Sequence, residues 1–137
     1  MEIKVFHRLP DDAAKIRIEV FVDEQGFTEE FDTDDLSAIH FVGYFEEMPI
    51  ATCRAITHEN NSYFIGRVAV RKQFRGQGYG ALIIKAAEEH LSGLGGKEIL
   101  IHSQIQASDF YKRLGYSLTG EYDEEEGCPH CMMKKLI

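Results

Sequence analysis

Three glycines at alternate positions, Gly76, Gly78 and Gly80, lie in the segment RKQFRGQGYGALIIKAAEEH (71–90), directly ahead of an apolar run with helical spacing. Glycine there costs conformational entropy, so the backbone conformation itself must be needed. A helix N-terminus leaves N–H groups unpaired and carries partial positive charge. Glycines remove the Cβ atoms that keep an anion off the backbone, and they permit the positive φ angles that turn successive N–H groups inward. Arg71, Lys72 and Arg75 add cationic charge beside them. Together these residues point to a diphosphate cradle. A Walker A loop is excluded, because Gly80 is followed by Ala81 and Leu82 instead of Lys and Ser/Thr. A dinucleotide fingerprint needs G-x-G-x-x-G after the first strand of a βαβ unit. The spacing here is G-x-G-x-G, and the segments before it read as a strand meander. The pattern that remains is [QR]-x-x-G-x-[GA], matched by Arg75, Gly78 and Gly80.

Other residues invite chemical readings. The segment CPHC (128–131) suggests zinc or redox chemistry, but the only other cysteine is Cys53. In an extended segment Cys128 and Cys131 point to opposite faces, so a structural role is expected and no metal. Seven acids fall within 23–35 and five within 121–126. Such blocks are ordinarily solvated loops. Gathered at one mouth, they would attract a cationic amine.

These residues need a scaffold. The chain of 137 residues reads as one domain, 1–137, with no repeats or linkers. A strand is expected at 2–7, then a helix opened by Pro10, Asp11 and Asp12 with Ala13, Ile16, Val20 and Phe21 on one face. Residues 23–35 break that pattern and read as a loop or short turns. Strands follow at 39–45, 50–56 (after the turn EEMP) and 63–70. After the glycines, Leu82, Ile83, Ala86, Ala87 and Leu91 recur at helical spacing. Then come a buried strand at 98–104, a short helix at 107–115, and strands at 116–122 and 129–137. The expected fold is mixed α/β around one twisted sheet. A net charge of −8 with pI near 5.2 disfavours nucleic acid as a partner. No apolar run approaches membrane-spanning length, and the N-terminus lacks signal-peptide features, so a cytoplasmic location is expected.

The pairing of RVAVRKQFRGQGYGALII with QIQASDFYKRLGY some thirty residues later resembles the GCN5-related N-acetyltransferases, the GNAT superfamily, over essentially the whole chain. IRIEVFVDEQGF, DTDD, His40 and GCPHCMM look most like its small ElaA-like branch. The resemblance implies a seven-stranded, mostly antiparallel sheet splayed between its fourth and fifth strands, with about four helices. It implies acetyl-CoA as co-substrate along strand 63–70, with pantetheine against Val68, Ala69 and Val70. The pyrophosphate would lie on Arg75, Gly76, Gln77, Gly78, Tyr79 and Gly80. Gln104, where many relatives have asparagine, would reach the cofactor less surely. A homodimer is also common among relatives.

Amide formation from a thioester needs a neutral amine, a stabilised oxyanion and a proton for the leaving thiolate. The resemblance assigns the proton donor to Tyr111, and a phenol stays protonated at neutral pH. The oxyanion would meet a backbone N–H near Val68 to Val70. Candidate bases are Glu24, His40, His102 and His130, with Glu24 and His130 nominated; a water chain could also serve. The expected activity is N-acetyl transfer to a primary amine in a ternary complex. Two alternatives stand beside it: an idle acyl-CoA-binding module, and an amino-sugar-phosphate acetyltransferase using Arg17 or Arg54.

Overall fold

Seven strands and three α-helices follow one another as β1 (Glu2–Phe6), α1 (Asp11–Arg17), β2 (Ile39–Phe45), β3 (Met48–His58), β4 (Ser62–Val70), α2 (Tyr79–Gly93), β5 (Glu98–Gln104), α3 (Ser108–Arg113), β6 (Ser117–Glu125) and β7 (Cys128–Leu136). The computed structural model describes residues 1–28 and 30–137, so Glu29 of the first acidic block lies outside the described residues. All strands join one sheet in the order β1-β2-β3-β4-β5-β7-β6. Every neighbouring pair is antiparallel except β4 and β5.

Helices cover both faces. Ala13 and Ile16 of α1, with Val20, pack on Val42, Tyr44 and Ala69. On the opposite face Ile83, Ile84, Ala87 and Leu91 of α2 pack with Phe41, Ile65, Ile99 and Ile101. The alternation of Phe41 and Val42 between these clusters is the strand period expressed as two cores.

Against about four helices expected, the described residues hold three α-helices, and α1 continues through Ile18–Glu24 as wider π-helical turns, closed by the Gln25 N–H on the Val20 carbonyl at 3.2 Å. Two expectations are corrected. The turn EEMP shrinks to Glu46 and Glu47, both at positive φ (48° and 72°), and β3 begins at Met48. Two left-handed residues give the twist that suits a tight hairpin. The second acidic block is largely strand: β6 runs to Glu125, and Glu126 and Gly127 make its turn into β7. Among the described residues no helix is long and apolar enough to cross a membrane.

Candidate active site

β4 and β5 pair only at Ser62 with Glu98, Tyr63 with Ile99 and Phe64 with Leu100. Beyond Phe64 the strands part, leaving a wedge in the sheet. β4 is also bulged. Thr52 faces Ala69 and Arg54 faces Gly66, so Cys53 alone opposes Arg67 and Val68. Arg67 takes φ 51°, a left-handed conformation costing a non-glycine residue roughly 1–2 kcal/mol. The extra residue shifts the alternation. Ile65, Val68 and Val70 turn to the α2 core, whereas Ala69 turns to α1.

Two cavities open into the wedge. One, of about 1050 Å³, runs past Val68, Ala69 and Val70 to the glycine loop. The other, of about 690 Å³, lies over Arg67, His102, Asp123, Glu125 and His130. Val68, Gln104, Ala107 and Tyr111 border both, together with Gln25 and Phe27. The cavities therefore meet at the splay.

In the glycine loop, the N–H of Arg75 is used by the Lys72 carbonyl at 3.3 Å, and the first bond into α2 is Leu82 N–H to Gly78 O at 3.1 Å. Among the described residues the N–H groups from Gly76 through Ala81 have no acceptor between those two bonds. The run of unpaired main-chain N–H groups thus starts at Gly76, and the Arg75 N–H, expected within it, is already engaged. Gly76 and Gly78 have φ of 76° and 85°, and a Cβ at either would meet nothing within 4 Å. Their faces are open to a ligand. Gly80 serves packing instead, since its Cβ would stand 3.2 Å from Phe110 Cζ.

The flanking cations are partly neutralised. Arg71 Nε donates to Glu19 at 2.8 Å. Arg75 donates from both terminal nitrogens to Glu24, at 2.8 and 3.0 Å, and from Nε to the Val70 carbonyl. Glu24 lines neither cavity. A carboxylate held in a guanidinium fork is poorly suited to taking a proton, so the nomination of Glu24 as base gives way to a loop-bracing role. The side chain of Gln77 lines neither cavity and donates to the Gln73 carbonyl at 3.5 Å. Gln104 donates to Gln25 at 2.8 Å and accepts from Gln106 at 2.6 Å, so both ends of its amide are engaged at the cavity junction.

Tyr111 is buried, in edge contact with the rings of Phe110 and Tyr116. Burial pushes its phenol well above the ordinary range, with Cys53 adding to the effect. Among the described residues its hydroxyl has no hydrogen-bond partner, although it borders both cavities.

The floor beyond the splay is an ion-pair layer that composition alone hid. Arg17, 1% exposed, donates from Nε to Glu30 at 2.7 Å and from Nη1 to Asp35 at 2.8 Å. Arg54 donates to Asp32 at 2.7 Å and to Asp35 at 2.8 Å. Arg67 completes the layer with Glu30 at 3.1 Å and Asp32 at 3.4 Å. Burial alone would raise the Asp35 carboxyl, but hydrogen bonds from Arg17 and Arg54 outweigh it and bring it down to about 2. Glu30 moves upward, driven by burial. Glu30 and Asp35 of the first acidic block are therefore buried ion-pair partners, whereas Asp23, Glu24, Asp32 and Asp34 are exposed. Arg17 was legible as an arginine on the Ala13 and Val20 face of the helix. His40, a candidate base, is 1% exposed with Nε2 on the Asp35 carbonyl at 3.0 Å, and it lines neither cavity.

The remaining candidates converge. His102 and His130 stack at 4.5 Å with 27° between ring planes. His102 Nε2 is 2.6 Å from Asp123, and His130 Nδ1 is 2.7 Å from the Cys128 carbonyl. Cys131 is buried in the core and Cys128 borders the glycine-loop cavity, on the opposite side of β7 as alternation requires. The described lining of the smaller cavity holds Glu30, Asp32, Asp34, Asp123 and Glu125 against Arg54 and Arg67.

A family profile described as acetyltransferase (GNAT) domain matches residues 9–137. The Bacillus subtilis protein YyaT is 34% identical over 131 residues, covering 92% of this chain and 88% of its own. The Escherichia coli ElaA crystal structure superposes with TM-score 0.86 at 26% identity, covering 98% of each chain. A Bacillus subtilis acetyltransferase solved in complex with CoA shares the fold, with TM-score 0.73 at 15% identity over 99% of this chain and 98% of its own.

Proposed function

The chain belongs to the GNAT acetyltransferase family, and from that premise we propose that it transfers the acetyl group of acetyl-CoA to a primary amine of a small cationic acceptor. The observation carrying this reading is the junction itself: an anion-ready loop and an acid-lined cavity open onto one gap, bordered by Val68 and Tyr111. The free N–H groups at Gly76 through Ala81 suit a diphosphate. A CoA-bound member of the same fold supports that use.

In the wedge, β4 has a free edge along which a pantetheine arm can add as a strand. The amine enters from the side of His102 and His130. His130 Nε2 accepts its proton, nitrogen attacks the thioester carbonyl, and a backbone N–H near the bulged Val68 holds the oxyanion. As the C–S bond breaks, Tyr111 gives its proton to the sulfur, and the proton the nitrogen sheds on becoming an amide restores the phenol. Burial keeps that phenol protonated, as the role requires. The amino-sugar-phosphate alternative loses support, because Arg17 and Arg54 are committed to carboxylates.

The test is thiol release from acetyl-CoA with a panel of polyamines, amino-acid amines and lysine peptides, with the product identified by mass. Acetylated amine formed faster than the blank supports the proposal. Tight CoA binding with no turnover on any amine would leave an idle acyl-CoA-binding module.

A further inference from the structure

The acceptor-side cavity holds an arrangement that proton transfer alone does not explain. Each histidine has one ring nitrogen committed away from the other. The Cys128 carbonyl can only accept, so His130 Nδ1 carries the hydrogen, and in the neutral form of the ring a lone pair is turned outward at Nε2. The Asp123 carboxylate likewise takes the hydrogen of His102 Nε2, leaving a lone pair at Nδ1. Both nitrogens lie near one carboxylate oxygen, Glu125 Oε2, at 3.7 Å from His102 Nδ1 and 3.8 Å from His130 Nε2. All three ligand atoms lie within 4.8 Å of one another. Among the described residues nothing donates a hydrogen bond to His130 Nε2, although His130 is only 5% exposed. Three electron-rich atoms converging without a donor repel one another, and a cation between them removes the repulsion.

We propose that His102, Glu125 and His130 form a binding site for one divalent transition-metal ion, of which zinc is the best match. Two imidazoles and a carboxylate with one open position is a donor set zinc accepts. Bonds of about 2.1 Å in a tetrahedral site put ligands roughly 3.4 Å apart, so binding needs the two distances to Glu125 to shrink by a few tenths of an ångström and the stacked rings to turn until both planes hold the ion. The outer partners complete the pattern, since metal-bound histidines usually donate their second N–H to a carboxylate or a carbonyl. Asp123 and the Cys128 carbonyl stand in those positions. An excess of carboxylates over guanidiniums in the cavity lining favours a cation further. The cysteines of CPHC supply none of the three ligands; the site is assembled across β5, β7 and β6. An ion there takes the lone pair that proton acceptance needs, so metal and amine compete.

The experiment uses the full chain without acetyl-CoA, so its failure leaves acetyl transfer untouched. Zinc is titrated by calorimetry, and cobalt(II) is followed by its visible absorption. One equivalent should bind, with cobalt bands of a low-coordinate nitrogen–oxygen site. His102→Ala and His130→Ala should abolish binding, and Asp123→Asn should weaken it about ten- to a hundredfold. His7→Ala and Cys128→Ser should leave it unchanged, with circular dichroism checking that each variant is folded. Absence of zinc binding by the wild type, affinity unchanged in Asp123→Asn and folded His102→Ala, or an intense sulfur-to-cobalt band lost in Cys128→Ser would each overturn the assignment.

Discussion

Arg75 grips Glu24 through both terminal guanidinium nitrogens, at 2.8 and 3.0 Å, while its Nε holds the Val70 carbonyl at 2.8 Å. One side chain thereby ties the end of the π-helical turns, the end of β4 and the start of the glycine loop together. Glu24→Ala should raise the KM for acetyl-CoA by up to about fivefold, the range of an exposed ion pair, and leave kcat nearly unchanged. Steady-state kinetics separates this from a base role, in which kcat would collapse while KM held.

Gly78 takes φ 85° at the entrance of α2, with open space where a side chain would project. Gly78→Glu places a carboxylate where the diphosphate is expected and strains the turn by about 1–2 kcal/mol. Calorimetry should detect no CoA binding, while circular dichroism reports an intact fold. Unchanged affinity would remove the cradle.

Tyr111→Phe keeps the ring contacts with Phe110 and Tyr116 and deletes only the hydroxyl. Loss of a general acid should lower kcat by about a hundredfold or more. The dissociation constant for CoA should stay within about twofold, because the hydroxyl makes no contact in the groove that a diphosphate would replace. Equal rates in the two proteins would move the proton donation elsewhere.

His130→Ala should reduce kcat with the amine by about a hundredfold, and added imidazole should restore part of the rate through the vacated space. His40→Ala should instead lower thermal stability, since its ring braces the Asp35 carbonyl and lines neither cavity. Opposite outcomes for the two variants would reverse the assignment.

Asp35 makes stability fall in acid. Its carboxyl, near 3.8 when unfolded and about 2 when folded, binds protons more readily in the unfolded chain. Its contribution is full above roughly pH 4 and is lost as pH falls toward 2, about 2 kcal/mol in all. Glu30, raised by burial, works in the opposite sense and softens the slope. Denaturant unfolding from pH 6 to 2.5 should show the loss. Asp35→Asn should flatten it, and should lower stability at neutral pH by about 3–5 kcal/mol because Arg17 and Arg54 are left buried without that partner.

Much of this was legible in the residue order, because it depends on neighbours along the chain. β5 falls on its expected bounds, and the strand preceding the glycines differs from expectation by one residue, since apolar runs bounded by turn residues report themselves. The glycine spacing pointed to positive φ, and two of the three glycines have it; Gly80 does not, and the ring it makes room for, Phe110, belongs to α3. Tyr111 stood out through its motif.

The local pattern of hydrophobicity, glycine and turn residues by itself determined the strands, the helix after the loop and the anion-ready backbone, since each rests on contacts a few residues apart. Only the tertiary structure decided which acids meet Arg17 and Arg54, that Glu24 braces Arg75, and that His102, Glu125 and His130 face one point. Those meetings join residues 13 to 51 positions apart, or three different strands. Charge composition cannot distinguish an acid in water from one held by a buried arginine. That difference is made by the crossing of chains that brings the partner, and by the desolvation that makes the partner necessary.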